Sequence, residues 1–175
     1  DSNDTKWMVS CRRLVKYDNT NWTLFDTANG GFLSGSTAMD FEGDTLWIAA
    51  GLKGLARYCN ESLTYYNMQN SGMPDNVAID IYIDNSRNKW VGTMFGGAAK
   101  FNSAQNIWTA FDLQDSLNLG NNFIAGLIAD DSSAYFATDF GLYRYSINGF
   151  HQINSWGGVN DLKYDKYSNL WVAYS

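Results

Sequence analysis

The strongest constraint on the fold is an internal repeat of a short segment centred on tryptophan. Similar segments, each with an aromatic residue followed by small or β-branched residues, occur at 6–10, 46–50, 89–93, 135–138 and 170–173. The aromatic residues recur about every 40 residues, a period typical of solenoids, propellers and other repeat architectures. The repeat therefore limits the chain to folds in which similar units pack side by side.

Three further segments accompany the tryptophan segment in most repeats. Each is four to seven residues long, rich in β-branched and aromatic residues, and bounded by Gly, Asn, Asp or Ser, which is the signature of a short strand. We name the predicted strands a, b, c and d in chain order, with the tryptophan in strand b. No segment shows the sustained apolar period of a capped helix.

Four-stranded antiparallel units of this length predict an all-β fold, a β-propeller with about four blade-equivalents. The tryptophan of strand b needs a neighbouring blade, because a single sheet covers only one face of its ring. We assign residues 1–175 to one propeller or propeller fragment. The predicted blades are 6–33 (strands b to d), 37–70, 76–115, 122–156 and 158–175 (strands a and b).

Two segments, LWIAAGLKGLARY and NKWVGTMFGGAAKF, resemble the two-component-regulator propeller repeat. The chain departs from that pattern at Phe136, which replaces the tryptophan, and at Cys11-Arg12-Arg13, where glycine is expected. Members of this family are commonly periplasmic sensor regions of hybrid histidine kinases from Bacteroidetes, which respond to glycan breakdown products. Related propellers are secreted binding proteins or streptogramin lyases. The resemblance therefore implies a periplasmic or extracellular sensor domain in signal transduction.

The two ends of the chain carry incomplete units, b to d at the start and a to b at the finish. Either the ends pair and close a small four-bladed ring, or the chain is part of a larger propeller, or two copies share a ring. We expect part of a larger propeller. Neighbouring blades or a second copy are then partners of the exposed sheets.

Candidate binding residues lie in the b-to-c and d-to-a loops, which emerge at the same end of a propeller. Aromatic rings beside amides, carboxylates and cations suit a sugar, whose apolar face stacks while its hydroxyl groups form hydrogen bonds. The alternative is that these side chains fill the channel mouth or face another blade. The candidates are Arg12, Lys53, Asn76, Phe95, Asn122, Asp139, Phe140 and Trp156.

Composition and motifs exclude several functional classes. The net charge of −6 disfavours a nucleic-acid surface, and no apolar run is long enough for membrane insertion. The acidic a-to-b turns lack the alternating pattern of a calcium loop, and turn chemistry explains them. We therefore predict neither a metal site nor a cofactor. The acidic turn residues are Asp44, Asp84, Asp130, Asp131 and Asp165.

Catalytic residues are not predicted, because nothing in the sequence places a nucleophile beside a base. The single histidine, His151, lies in a predicted d strand at the outside of a blade. The expected function is recognition of a small glycan or of a partner domain. A lyase or hydrolase using the channel mouth and a structural scaffold that dimerises through its edges remain the alternatives.

Overall fold

The computed structural model describes residues 4–10, 13–25, 35, 37–130 and 132–174. They form successive antiparallel sheets in chain order. The first sheet contains β1 (Lys6–Ser10), β2 (Arg13–Tyr17) and β3 (Trp22–Phe25), and the second contains β4 (Ala38–Glu42), β5 (Thr45–Ala49), β6 (Leu55–Cys59) and β7 (Ser62–Tyr66). The third contains β8 (Ala78–Ile83), β9 (Lys89–Thr93), β10 (Ala98–Asn102) and β11 (Ile107–Phe111). The fourth contains β12 (Gly126–Ala129), β13 (Ser133–Thr138), β14 (Gly141–Ser146) and β15 (Gly149–Asn154), and the last contains β16 (Val159–Tyr164) and β17 (Leu170–Tyr174).

Strand order in the complete sheets follows chain order, so each sheet is a meander. The first strands of successive sheets, β4, β8, β12 and β16, contact one another from sheet to sheet. These a strands therefore form the inner layer, and the d strands β7, β11 and β15 lie furthest from it. The arrangement is a β-propeller of four-stranded antiparallel blades, and it confirms the predicted fold class.

The hydrophobic cores lie between adjacent sheets, where the tryptophans of β5 and β9 pack against the sheet that follows. Trp47 contacts Phe101, with ring centroids 6.3 Å apart, and Trp90 lies 6.3 Å from Phe136. Both tryptophans are buried, at 2% and 4% exposed. Trp171 in the last sheet is 66% exposed, because no further sheet follows it among the described residues. The tryptophan of strand b is therefore buried only where a second sheet packs against its own sheet.

Hydrogen bonds between backbone and carboxylate also join neighbouring a strands. Asp40 Oδ2 accepts the N–H of Ile83 at 2.7 Å, and Asp80 Oδ2 accepts the N–H of Leu127 at 2.8 Å. Burial raises the pKa of Asp80 to about 6, and the nearby charges of Asp161 and Asp40 add to that effect. Each of these aspartates therefore holds the next sheet along the chain against the sheet in which it lies.

An ion pair joins the second and third sheets. Lys89 is fully buried, and its ammonium group lies 2.7 Å from Glu42 Oε2. The same group donates to the hydroxyl of Ser103 at 2.8 Å and to the carbonyl of Arg87 at 2.9 Å, and it lies 5.0 Å from the ring of Trp47. Its donors are thus occupied, which a buried cation requires.

One helical turn, α1 (Leu113–Leu117), differs from the sequence-based expectation that the chain contains no helix. Asp112 caps it by accepting the N–H of Asp115 at 3.0 Å, and Asn118 ends it in the left-handed conformation. Leu113 is buried in the core between the third and fourth sheets. The helix is too short to show an apolar period, so its only sequence signals are the capping residues.

Candidate functional site

The predicted binding residues lie at one end of the sheets, which we call the b–c end because it carries the b-to-c turns and the d-to-a connections. The opposite end, with the a-to-b and c-to-d turns, is the a–b end. Lys53, Phe95, Asp139 and Phe140 lie in b-to-c turns. Asn76, Asn122 and Trp156 lie in d-to-a connections, and Arg12 lies outside the described residues.

The b-to-c turn of the third sheet is bound to the d-to-a connection that precedes the same sheet. The N–H of Phe95 donates to Asp75 Oδ2 at 2.9 Å, and the N–H of Met94 donates to the carbonyl of Val77 at 3.0 Å. The side chain of Phe95 is nevertheless 69% exposed. The backbone of this turn is held in place while its aromatic ring faces solvent.

The fourth sheet has the same kind of connection. The Nδ2 group of Asn121 donates to Asp139 Oδ2 at 3.2 Å, and the N–H of Phe140 donates to Thr138 Oγ1 at 3.1 Å. The ring of Phe140 lies over Gly120, where an added Cβ would come within 2.9 Å of its tip. Asp139 and Phe140 therefore project from a turn with little freedom to move.

Two of the candidate amides are used inside the fold. Asn122 Oδ1 accepts the N–H of Gln114 at 2.6 Å, and its Nδ2 group donates to Asp112 Oδ1 at 3.0 Å. Asn76 Oδ1 accepts the N–H of Met68 at 2.9 Å. The amide oxygens of Asn122 and Asn76 thus hold the d-to-a connections.

Lys53 and Trp156 make contacts within other parts of this end. The ammonium group of Lys53 lies 5.2 Å from the ring centre of Tyr65. Trp156 is 82% exposed, and its ring lies 5.9 Å from that of Tyr174 in the last sheet. The exposed aromatic residues of the b–c end therefore come from several successive loops.

The b–c end combines exposed rings with hydrogen-bond acceptors on a braced backbone. Such a surface can stack against an apolar face of a ligand and accept hydrogen bonds from its hydroxyl groups. His151 is exposed in β15, an outer strand, far in the sheet order from the inner a strands. Within the described ranges, no three His, Cys, Asp or Glu side chains converge as metal ligands.

Sequence reasoning missed a concave site at the a–b end. We call it the tyrosine pocket; it has a volume of about 370 Å³ and its lining includes Tyr82, Asn85, Asp130, Tyr135, Tyr164 and Ser168. A second cleft of about 330 Å³ lies beside it between the third and fourth sheets and shares Asp130 with it; its lining also includes Trp90, Lys100, Ser133 and Tyr145. Tyr82 lies opposite Trp90, whereas Tyr164 lies one register further on, opposite Leu170. The two tyrosines therefore occupy different positions of the repeat, and no repeated residue in the sequence indicates the pocket.

Solved propellers share this architecture at low sequence identity. No protein-family model and no curated protein matches the chain. The extracellular domain of BT3049 from B. thetaiotaomicron, described as a hybrid two-component system, superposes with a TM-score of 0.83 at 18% identity over 98% of this chain. That of BT4673 from the same organism gives 0.71 at 19% identity over 95% of this chain. The chain spans about a quarter of both structures, 26% and 24% of their lengths.

A propeller enzyme is also similar. Virginiamycin B lyase from Staphylococcus aureus superposes with a TM-score of 0.66 at 15% identity, over 97% of this chain and 64% of the lyase. At these identities the similarity establishes the β-propeller fold and no activity. Among the helices that the structure describes, none is long and apolar enough to cross a bilayer.

Proposed function

We propose that this chain is a recognition module of an extracytoplasmic sensor, and that it binds a glycan-derived ligand through the b–c end. The proposal is supported above all by the outward exposure of Phe95 and Trp156, with the backbone of the Phe95 turn held by hydrogen bonds to Asp75 and Val77. Exposing an aromatic ring to water is unfavourable in free energy, and a binding partner that covers the ring would remove this cost. The two similar sensor structures are themselves extracellular domains, which supports the location and the sensing role.

The chemistry of the b–c end favours a neutral sugar. Phe95 and Phe140 offer ring faces, while Asp139 adds carboxylate oxygens that accept hydroxyl protons. A braced scaffold loses little conformational entropy when it binds, so a modest contact area can still give measurable affinity. Signalling would then pass through the inter-sheet contacts, since each aromatic core joins two neighbouring blades.

The proposal is tested by titrating the chain with a panel of neutral and acidic oligosaccharides in a calorimeter. Phe95→Ala and Trp156→Ala should each weaken binding at least about tenfold, as for a central aromatic contact. Ile147→Ala is the control, because Ile147 is also an exposed apolar side chain but lies in a c-to-d turn at the a–b end. If the two aromatic variants bind as the control does, the assignment of the b–c end is wrong. Saturable binding of a partner domain with no binding of any oligosaccharide would overturn the glycan proposal.

A further inference from the structure

The tyrosine pocket combines side chains from three sheets at the a–b end, opposite the proposed glycan surface. Tyr82 comes from β8 in the third sheet, Tyr135 from β13 in the fourth, and Tyr164 from β16 in the last. Asp130, which follows β12, adds a carboxylate. Since no single sheet supplies more than part of this lining, the pocket exists only when the sheets are packed together.

Asp130 is held as a fixed acceptor on the wall of the tyrosine pocket. Its Oδ1 atom accepts the N–H groups of Ser132 and Ser133, both at 2.8 Å, and its Oδ2 atom faces the hydroxyl of Tyr164 at 3.4 Å. Burial raises the pKa of Asp130, but the hydrogen bonds from Ser132 and Ser133 outweigh burial and hold it below its usual value. The carboxylate is therefore ionised at neutral pH.

The surroundings of the tyrosines are anionic. Burial raises the pKa of Tyr82, and the charges of Asp40, Asp84 and Asp130 raise it further. Burial also raises the pKa of Tyr164, and the charge of Asp130 raises it further. Both phenols thus stay neutral, and their rings keep the electron-rich faces that attract a cation.

Two cations of the chain lie beside aromatic rings near the tyrosine pocket, and one of these rings, that of Tyr135, belongs to its lining. The guanidinium of Arg144 lies 5.9 Å from the ring centre of Tyr135, where Ser133 Oγ accepts its Nε–H at 2.9 Å. The ammonium group of Lys166 lies 4.8 Å from the ring of the exposed Tyr167. Among the described residues, no Lys or Arg lines the tyrosine pocket itself.

We propose that the tyrosine pocket binds an organic ammonium cation, with Tyr82, Tyr135 and Tyr164 around the nitrogen and Asp130 as its counter-charge. Aromatic rings combined with a carboxylate are the arrangement that recognises quaternary ammonium groups. The volume of about 370 Å³ accepts such a headgroup together with a short substituent, within the range of small-ligand sites. An anion is disfavoured by the carboxylate, and a neutral sugar would gain only hydrogen bonds from it, without the charge attraction that a cation gains.

The test uses choline and its neutral isostere, in which carbon replaces the quaternary nitrogen. Calorimetry on the 175-residue chain should show saturable binding of choline, and binding of the isostere should be at least about tenfold weaker because it lacks the charge. This comparison needs no variant, so a loss of folding cannot obscure it. Equal binding of the two compounds, or tighter binding of methyl glucoside than of choline, would overturn the proposal.

Variants then locate the bound cation. Asp130→Asn keeps an oxygen for the Ser132 and Ser133 N–H groups and removes the charge, so choline binding should weaken about tenfold. Tyr164→Leu should weaken it by a similar factor, whereas Tyr164→Phe, which keeps the ring, should not. Glu61→Gln is the charge control, because Glu61 is exposed in a c-to-d turn of another sheet. Equal losses in Asp130→Asn and Glu61→Gln would show that the general negative charge, rather than the tyrosine pocket, attracts choline.

Discussion

The glycine that opens strand c shows how one residue fixes a blade. Gly97 has a φ of +79°, and a Cβ added there would clash with the carbonyl oxygen of Phe111 in the adjacent d strand. Gly54 and Gly141 stand at the same place in the second and fourth sheets and face the same carbonyl clash, with Tyr66 and Asn154. This close approach explains why glycine recurs after the b-to-c turns of the second, third and fourth sheets, and it is a packing requirement rather than a binding feature.

Replacing this glycine should therefore destabilise the fold beyond the cost of its backbone conformation. We expect Gly97→Ala to lower the free energy of unfolding by about 2 kcal/mol or more, because strain at positive φ and the displacement of strand d add together. Gly43→Ala is the matched control: Gly43 has a φ of +59° but no atom near the added Cβ. Urea unfolding of both variants measures the difference. Equal losses would show that the contact with Phe111 has no energetic weight.

At the scale of the element, the a-to-b hairpins are closed by a carboxylate that reaches the tryptophan of strand b. Asp84 Oδ2 accepts the indole N–H of Trp90 at 2.9 Å, and Asp84 Oδ1 accepts the N–H of Asn88 at 2.8 Å. Asp165 binds Trp171 and Asn169 in the same way in the last sheet. The difference is that Asp84 and Trp90 are buried, whereas in the last sheet Trp171 is exposed and Asp165 is only half-buried.

The burial of this hairpin contact should determine how much it contributes to the free energy of unfolding. Asp84→Ala leaves the buried indole N–H of Trp90 and the Asn88 amide without an acceptor, so we expect a loss of about 3 kcal/mol in the free energy of unfolding. Asp165→Ala should cost much less, since water can replace the lost acceptor. Thermal or urea unfolding of the two variants provides the comparison. Similar losses would contradict the role assigned to burial.

The strands were predictable from the sequence, whereas the roles of the loop residues were not. The repeated tryptophan segment predicted where strand b lies in each sheet, and the polar turns on either side of it predicted where the neighbouring strands begin and end. Helix α1 was not predicted because a single helical turn is too short to show an apolar period. Asn122 was predicted as a ligand contact, but its amide holds the helix start at Gln114. That role depends on a contact between two loops, which no local pattern encodes.

At the scale of the whole molecule, buried carboxylates between the a strands make stability depend on pH. Burial raises the pKa of Asp80 to about 6, above the value of about 4 for an unfolded chain. Between these values the folded chain holds a proton that the unfolded chain has released. The stabilising contribution of this group is therefore fully present below about pH 4 and is lost as the pH rises through about 6.

Removing this carboxyl group should abolish the loss of stability that it causes as the pH rises from about 4 through about 6. From pH 4 to pH 7, we expect the stability of Asp80→Asn relative to the unsubstituted chain to rise by about 2 kcal/mol, because the variant carries no carboxylate between the a strands at neutral pH. Asp18→Asn is a control at an exposed turn residue, whose pKa the N–H groups of Asn21 and Thr20 hold low. Denaturant unfolding at both pH values gives the two slopes. A constant difference between Asp80→Asn and the unsubstituted chain would contradict the assigned pKa.

Mapping a bound oligosaccharide on the chain by NMR would show whether the b–c end is the recognition surface. Backbone amide shifts are followed while the tightest-binding member of the oligosaccharide panel is added. We expect the largest shifts at Phe95, Phe140 and Trp156 and their loop neighbours, with little change in the a-to-b turns. Shifts confined to the a–b end, or spread evenly along the exposed strands, would contradict it.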